Sequence, residues 1–226
     1  MERKSPCCAI GWRPHWLEIE SAYMMKILSA CGVIEHARND AILVATMGAM
    51  GAMDKLGAEQ PRVSSVPFMG GAPGLGLGLA LARPDKKVIV VDGDASLLMQ
   101  LGNLVTVAAN RPTNLYHFVI CNGTQFSGMS NLPVPGNGHV DFCSMAIAAG
   151  YREAHSFNQE DSFTDAIDSI LASVGPHFVA LHVEPDPPQF SAATPQQDWM
   201  DFHFKRMHQE ARAISGWLTE QPLETP

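Results

Sequence analysis

Residues Val88–Phe126 read VIVVDGDASLLMQLGNLVTVAANRPTNLYHFVICNGTQF. An apolar, β-branched run ends in Asp92-Gly93-Asp94-Ala95-Ser96. A helical pattern follows, and then a second apolar run that ends in Cys121-Asn122-Gly123-Thr124. Two buried strands joined by a helical crossover form a parallel unit, and in open parallel sheets ligands bind at the carboxyl edge of the strands. The spacing therefore brings a carboxylate, Asp94, and a carboxamide, Asn122, to that edge from positions 28 residues apart. A hard divalent cation on a diphosphate needs oxygen donors of this kind, few of them from protein.

Outward from this stretch the chain alternates. Leu17–Cys31 has helical periodicity, with Ile19, Tyr23, Ile27 and Ala30 on one face. Ala41–Met47 and Val63–Val66 read as strands, Gly48–Leu56 and Pro73–Ala82 as helices. Arg83-Pro84 ends the latter, because the residue before proline resists the α region. Lys87–Asp92 and Asn114–Cys121 are the two signature strands, with a helix over Ser96–Asn110. Gly123–Gly138 is a long loop, and long loops are often functional. Asp141–Ala149 is a helix, Arg152–Ser156 a strand, Glu160–Val174 an amphipathic helix and Phe178–Val183 the last strand. The sum is an α/β fold, a doubly wound, mostly parallel sheet of about six strands with helices on both faces. Residues 1–16 form an arm, 17–190 the domain, and 191–226 an extension with a helix over Asp198–Leu218.

Composition narrows the function. The 226 residues are 46% hydrophobic and 17% charged, an ordinary globular make-up. A net charge of −8 argues against nucleic acid or an anionic membrane as partner. No apolar run is long enough to span a bilayer, and the N-terminus lacks the apolar core of a signal peptide, so the cytoplasm is expected. Cys7, Cys8, Cys31, Cys121 and Cys143 form no framework and read as reduced thiols. Gly74, Gly76 and Gly78 do not fit the dinucleotide fingerprint, because leucine holds the last slot.

The stretch Gly93-Asp94-Ala95 with Cys121-Asn122 resembles the signature of thiamine diphosphate enzymes, a Gly-Asp-Gly followed some two dozen residues on by Asn-Asn. Ala95 stands for the last glycine, as in the acetolactate synthase branch, and Cys121 for the first asparagine. The likeness covers roughly residues 20–190 and only the diphosphate-binding (PP) domain. It implies thiamine diphosphate and Mg²⁺ as cofactors. Asp94, Asn122 and the carbonyl of Thr124 would be the metal ligands. Gly93, Ala95 and Ser96 would let the backbone approach the diphosphate, with a helix starting near Ser96 aimed at it. Met69 would wedge between the cofactor's two rings, and the Pro67 carbonyl would accept from its amino group. Gln125 and Phe126, with Met69, would face the reacting centre.

The family's other half, the pyrimidine-binding (Pyr) domain, supplies a glutamate to the cofactor. The likeness thus implies a separate Pyr-domain subunit and a hetero-oligomer acting on a small 2-oxo acid. Leu98–Leu104 is similar to the group of sulfopyruvate decarboxylase β subunits and phosphonopyruvate decarboxylases. The implied activity is non-oxidative decarboxylation, with an acetolactate synthase-like carboligase subunit or a non-catalytic subunit as alternatives. No Arg or Lys lies between Thr113 and Gly150. An anionic substrate tail would then be held by helix termini, hydroxyls or the partner. His139, at the end of the long loop, is a further functional candidate. His117 and His182 read as core, and His203 and His208 as surface.

Overall fold

The computed structural model describes residues 24–65, 69–136, 138–188 and 200–220, with no side-chain description for 200–203. Val88, Ile89, Val90 and Val91 are all fully buried, as a strand covered on both faces must be. They belong to strand β4 (Val88–Gly93), which lies at the centre of a seven-stranded sheet. On one side stands β2 (Ile42–Ala45), then β3 (Arg62–Ser64). On the other stands β5 (Leu115–Cys121), then β9 (His177–Glu184). The far edge of β9 is shared. β8 (Glu153–Phe157) pairs with its first part, and β1 (Met25–Lys26) with Val183 and Glu184. All these pairings are parallel.

Strand period two sorts the side chains into two cores. Leu43, Ile89, Val91, Tyr116, Phe118, Val179 and Leu181 face one layer. There α1 (Ile27–Ala37), α2 (Met47–Lys55) and α7 (Glu160–Ala172) pack, α7 through Phe163, Ile167, Ile170 and Leu171. Ile42, Val44, Val88, Val90, Leu115, Val119 and Phe178 face the other. That layer holds α3 (Ala72–Ala82), α5 (Asn103–Asn110) and α6 (Phe142–Ala149). Full burial of one such aliphatic or aromatic side chain stabilises by about 1.5–3 kcal/mol.

Three expectations are corrected. The helix read over Leu17–Cys31 starts at Ile27 and runs on to Ala37, and Met25–Lys26 is a strand. β9 reaches beyond β8, and the free backbone groups there recruit a two-residue strand too short to show a period. Ile19 and Tyr23 lie outside the described residues. The helix read over Ser96–Asn110 is two helices, α4 (Asp94–Met99) and α5, broken at Gln100–Gly102. The break seats Gly70 against Gln100, as shown below. The loop Gly123–Gly138 contains a small antiparallel ladder of β6 (Thr124–Gln125) and β7 (Leu132–Pro133).

The C-terminal helix α8 (Met200–Glu220) docks on this same domain. Arg206 pairs with Asp54 of α2 and with Glu210, whose carboxylate accepts from the Ser64 N–H at 2.7 Å. Ile214 is buried in the second core, and Lys86 sits over the Trp217 ring. No helix among the described residues is long and apolar enough to cross a membrane.

Candidate functional site

The carboxyl edge of the sheet gathers Thr46, Ser65, Asp94 and Asn122 from strand ends, with His182 of β9 in register with Cys121 beside them. β4 and β5 are neighbours with Gly93 opposite Ile120, which brings Asp94 and Asn122 to adjacent strand tips. Gly93 keeps extended backbone (φ −122°, ψ 155°) and turns the chain directly into α4. The helix therefore starts at Asp94 rather than near Ser96, and it is only six residues long.

Asp94 is 4% exposed. One carboxylate oxygen accepts the Ala95 N–H at 2.7 Å and the other the Gly123 N–H at 2.7 Å. Gly123 has φ +68°, a left-handed conformation that suits glycine. That turn is what aims its N–H across at the neighbouring strand. Burial pushes the Asp94 carboxyl up to about 6, with the nearby Asp92 charge adding to it, against the opposing pull of the backbone hydrogen bonds. The Asn122 side-chain oxygen accepts from the Thr124 N–H at 3.0 Å and the Thr124 hydroxyl at 3.2 Å. Thr124 and Gln125, both half-buried, form β6 beside these groups.

Met69 is half-buried and opens the turn into α3. Pro67 lies outside the described residues. The turn is held by Asn103, which the sequence did not single out, and by the Ser96 hydroxyl in a role the sequence did not suggest. The Gly70 N–H donates to the Ser96 hydroxyl at 2.7 Å, and the Asn103 amide donates to the Gly70 carbonyl at 2.6 Å. Gly70 has φ +83°, and a Cβ there would meet Gln100 Cβ at 2.7 Å. Ser96, 2% exposed, thus fastens the Met69 turn through its side chain. The signal for this was the Gly70-Gly71 doublet, but its partners come from a helix break that periodicity does not show. Ala95 is buried, and a Cβ on Gly93 would meet no atom within 4 Å.

Phe126 is 47% exposed with φ +53°, a conformation uncommon for an aromatic residue. Its carbonyl accepts from Met129, Ser130 and Asn131. The Asn131 amide donates to the Asp186 carbonyl at 2.7 Å, which straps the loop to the segment after β9. Cys121 is buried, and burial raises its thiol well above the ordinary range, so it is an inert strand-end thiol here. His117 is fully buried and hydrogen-bonded to the Tyr151 hydroxyl at 3.1 Å, a core histidine. His182 is half-buried against the Ser156 hydroxyl at 3.0 Å, with burial holding its pKa down. His139 and His208 are exposed, and the His203 side chain lies outside the described residues.

Comparison with known proteins agrees with this fold. Residues 62–181 match the family described as "Thiamine pyrophosphate enzyme, C-terminal TPP binding domain". Among curated relatives, a phosphonopyruvate decarboxylase of Streptomyces viridochromogenes is 43% identical over 122 residues, 53% of this chain and 30% of that protein. A sulfopyruvate decarboxylase subunit beta of Methanothermobacter thermautotrophicus is 37% identical over 120 residues, 52% of this chain and 59% of that protein. The chain thus covers less than two thirds of either relative. Among solved structures, a thiamine diphosphate-dependent 4-hydroxybenzoylformate decarboxylase of Rhodococcus jostii superposes with a TM-score of 0.63 at 21% identity. It covers 74% of this chain and 34% of that one, and shows the shared fold. The chain belongs to the thiamine pyrophosphate enzymes, whose C-terminal TPP-binding domain it carries.

Proposed function

We propose that this chain is the cofactor-binding half of a Mg²⁺-dependent, non-oxidative 2-oxo acid decarboxylase of the sulfopyruvate and phosphonopyruvate type. The observation that carries the proposal is the buried Asp94 carboxylate set beside Asn122 at one sheet edge, with open space at Gly93. A carboxylate driven toward neutrality by burial is stabilised by an adjacent cation. Its two hydrogen bonds fix both oxygens without supplying that charge. Asp94, Asn122 and the Thr124 carbonyl would hold Mg²⁺, and the Gly93–Ser96 turn would admit the diphosphate. Thiamine diphosphate, when bound, supplies the electron sink on which a 2-oxo acid loses CO₂.

The chain's own residues would bind, orient and shield. Met69, held by the Ser96–Gly70–Asn103 clamp, would press on the cofactor's rings. Gln125 and Phe126 would line the reacting face. Residues 17–190 would form this unit, and α8 its docked extension. A separate Pyr-domain chain would complete the site with a glutamate and the cationic anchor missing from 113–150. The match to a β subunit supports this arrangement. The free thiols Cys31, Cys121 and Cys143 suit the cytoplasm. Replacing Asp94 or Asn122 by Ala should abolish Mg²⁺-dependent uptake of thiamine diphosphate in calorimetry. Unchanged uptake by both variants would show the metal assignment to be wrong.

A further inference from the structure

The amino edge of the sheet, opposite Asp94, carries a second cluster. Glu153 opens β8, His155 lies two residues on along the same face, and His177 opens β9 in register with Glu153. The Glu153 carboxylate is 3.4 Å from His155 Nε2 and 3.8 Å from His177 Nδ1. One ligand atom from each of the three residues lies within 4.8 Å of the others. His177 is fully buried, and both His177 Nδ1 and His155 Nε2 are buried without a hydrogen-bond partner.

The tautomer of His177 is set by its surroundings. Its Nε2 lies 3.0 Å from the Val174 carbonyl, which only accepts, so Nε2 carries the hydrogen. The Ser173 hydroxyl, also 3.0 Å away, adds a second contact. Nδ1 of the neutral ring is then a bare lone pair, and it faces the acceptor-only carboxylate of Glu153. Two acceptors that face each other need a cation between them. A proton would leave an imidazolium in a fully buried position, and buried charge is costly. A metal ion meets the same need with a neutral ring. Metal-bound histidines commonly donate their other N–H to a backbone carbonyl, which fixes the ring and its tautomer.

We propose that Glu153, His155 and His177 bind a zinc-type divalent cation, with the remaining coordination left to water. Zn–N and Zn–O bonds of about 2.0–2.2 Å place tetrahedral ligands about 3.3–3.6 Å apart, close to the two distances from the Glu153 carboxylate. Two imidazoles select zinc over magnesium, which prefers oxygen. The His155 and His177 rings stack with planes 3° apart, and for both lone pairs to reach one ion the half-exposed His155 would turn while buried His177 stays fixed. Tyr116 stacks on His177 from the neighbouring strand and holds it in place. The ion would clamp edge strand β8 onto β9.

The test uses the full, untagged chain with Zn²⁺ in competition with a chromophoric chelator, and Co²⁺ as a spectroscopic stand-in. One Zn²⁺ per chain is expected, with intense four-coordinate Co²⁺ bands. Asp94→Ala should leave both unchanged, which separates this site from the cofactor edge. Glu153→Gln and His155→Asn alter exposed or half-exposed residues and should keep the native circular dichroism. Each should weaken Zn²⁺ by at least about 10–100-fold, the loss seen even for outer-shell partners. Equal Zn²⁺ affinity in the wild type and in the Glu153→Gln/His155→Asn double variant would overturn the site. So would a wild type that takes up no Zn²⁺.

Discussion

Asp94→Asn should disable the chain, while its cofactor-free form gains stability relative to wild type as pH rises. Burial moves the carboxyl from 3.8 to about 6. At about 1.4 kcal/mol per pH unit, keeping the charge buried at pH 8 costs about 3 kcal/mol. Because the folded-state value is raised, the folded chain holds the proton more tightly than the unfolded one. Stability from this group is therefore fully present below about pH 4, is lost as pH rises towards about 6, and stays lost above. Asn never charges, but its NH₂ must face one of the two N–H groups that the carboxylate accepts from, a pH-independent loss of about 1–3 kcal/mol. The variant should sit below wild type by that loss at low pH, and the difference should shift in its favour by about 3 kcal/mol by pH 8. For a chain of this size that is roughly 6–12 °C in thermal midpoint. Differential scanning calorimetry from pH 4 to 8, without Mg²⁺ or cofactor, reads the difference directly. Addition of both at a hundred-fold excess over Kd should raise wild type by about 2.7 kcal/mol and leave the variant unmoved. A stability difference that does not move with pH would refute the picture of a strained carboxylate awaiting a cation.

Other positions test the supports of the site. Gly70→Ala, with φ +83° and Gln100 Cβ at 2.7 Å, should lower stability by more than about 1 kcal/mol in urea unfolding and weaken cofactor uptake. An innocuous Gly70→Ala would mean that the turn is not clamped. Tyr151→Phe strips buried His117 of its partner and should cost about 1–3 kcal/mol in the same assay. Phe126→Gly relieves a left-handed φ of +53°, worth about 1 kcal/mol of stability. It should also lower kcat of the assembled enzyme while cofactor affinity holds. An unchanged kcat would remove Phe126 from the reacting face.

The central strands were legible because burial on both faces writes itself as unbroken apolar runs. Lys87–Asp92 and Asn114–Cys121 came out within a residue of β4 and β5. The amphipathic face Phe163, Ile167, Ile170 and Leu171 of α7 was likewise plain in its spacing. What escaped depends on contacts distant in sequence. The break at Gln100–Gly102 packs against Gly70, some thirty residues upstream, a contact that no local pattern marks. β1 forms because β8 is short and leaves the end of β9 unpaired. At the site, Asp94 and Asn122 stood out by type and spacing. The Ser96 hydroxyl, read as part of the diphosphate turn, holds Gly70. Glu153 and His155 share a strand face by simple alternation, but His177 joins them only through the register of β8 on β9.

The most direct test is to purify the tagged chain from its native cell and identify, by mass spectrometry, the proteins and small molecules that travel with it. The account predicts a stoichiometric second chain, with thiamine diphosphate and Mg²⁺ in the complex and 2-oxo acid decarboxylation that neither chain shows alone. A chain that travels alone and takes up no thiamine diphosphate when both cofactor and Mg²⁺ are supplied would contradict it.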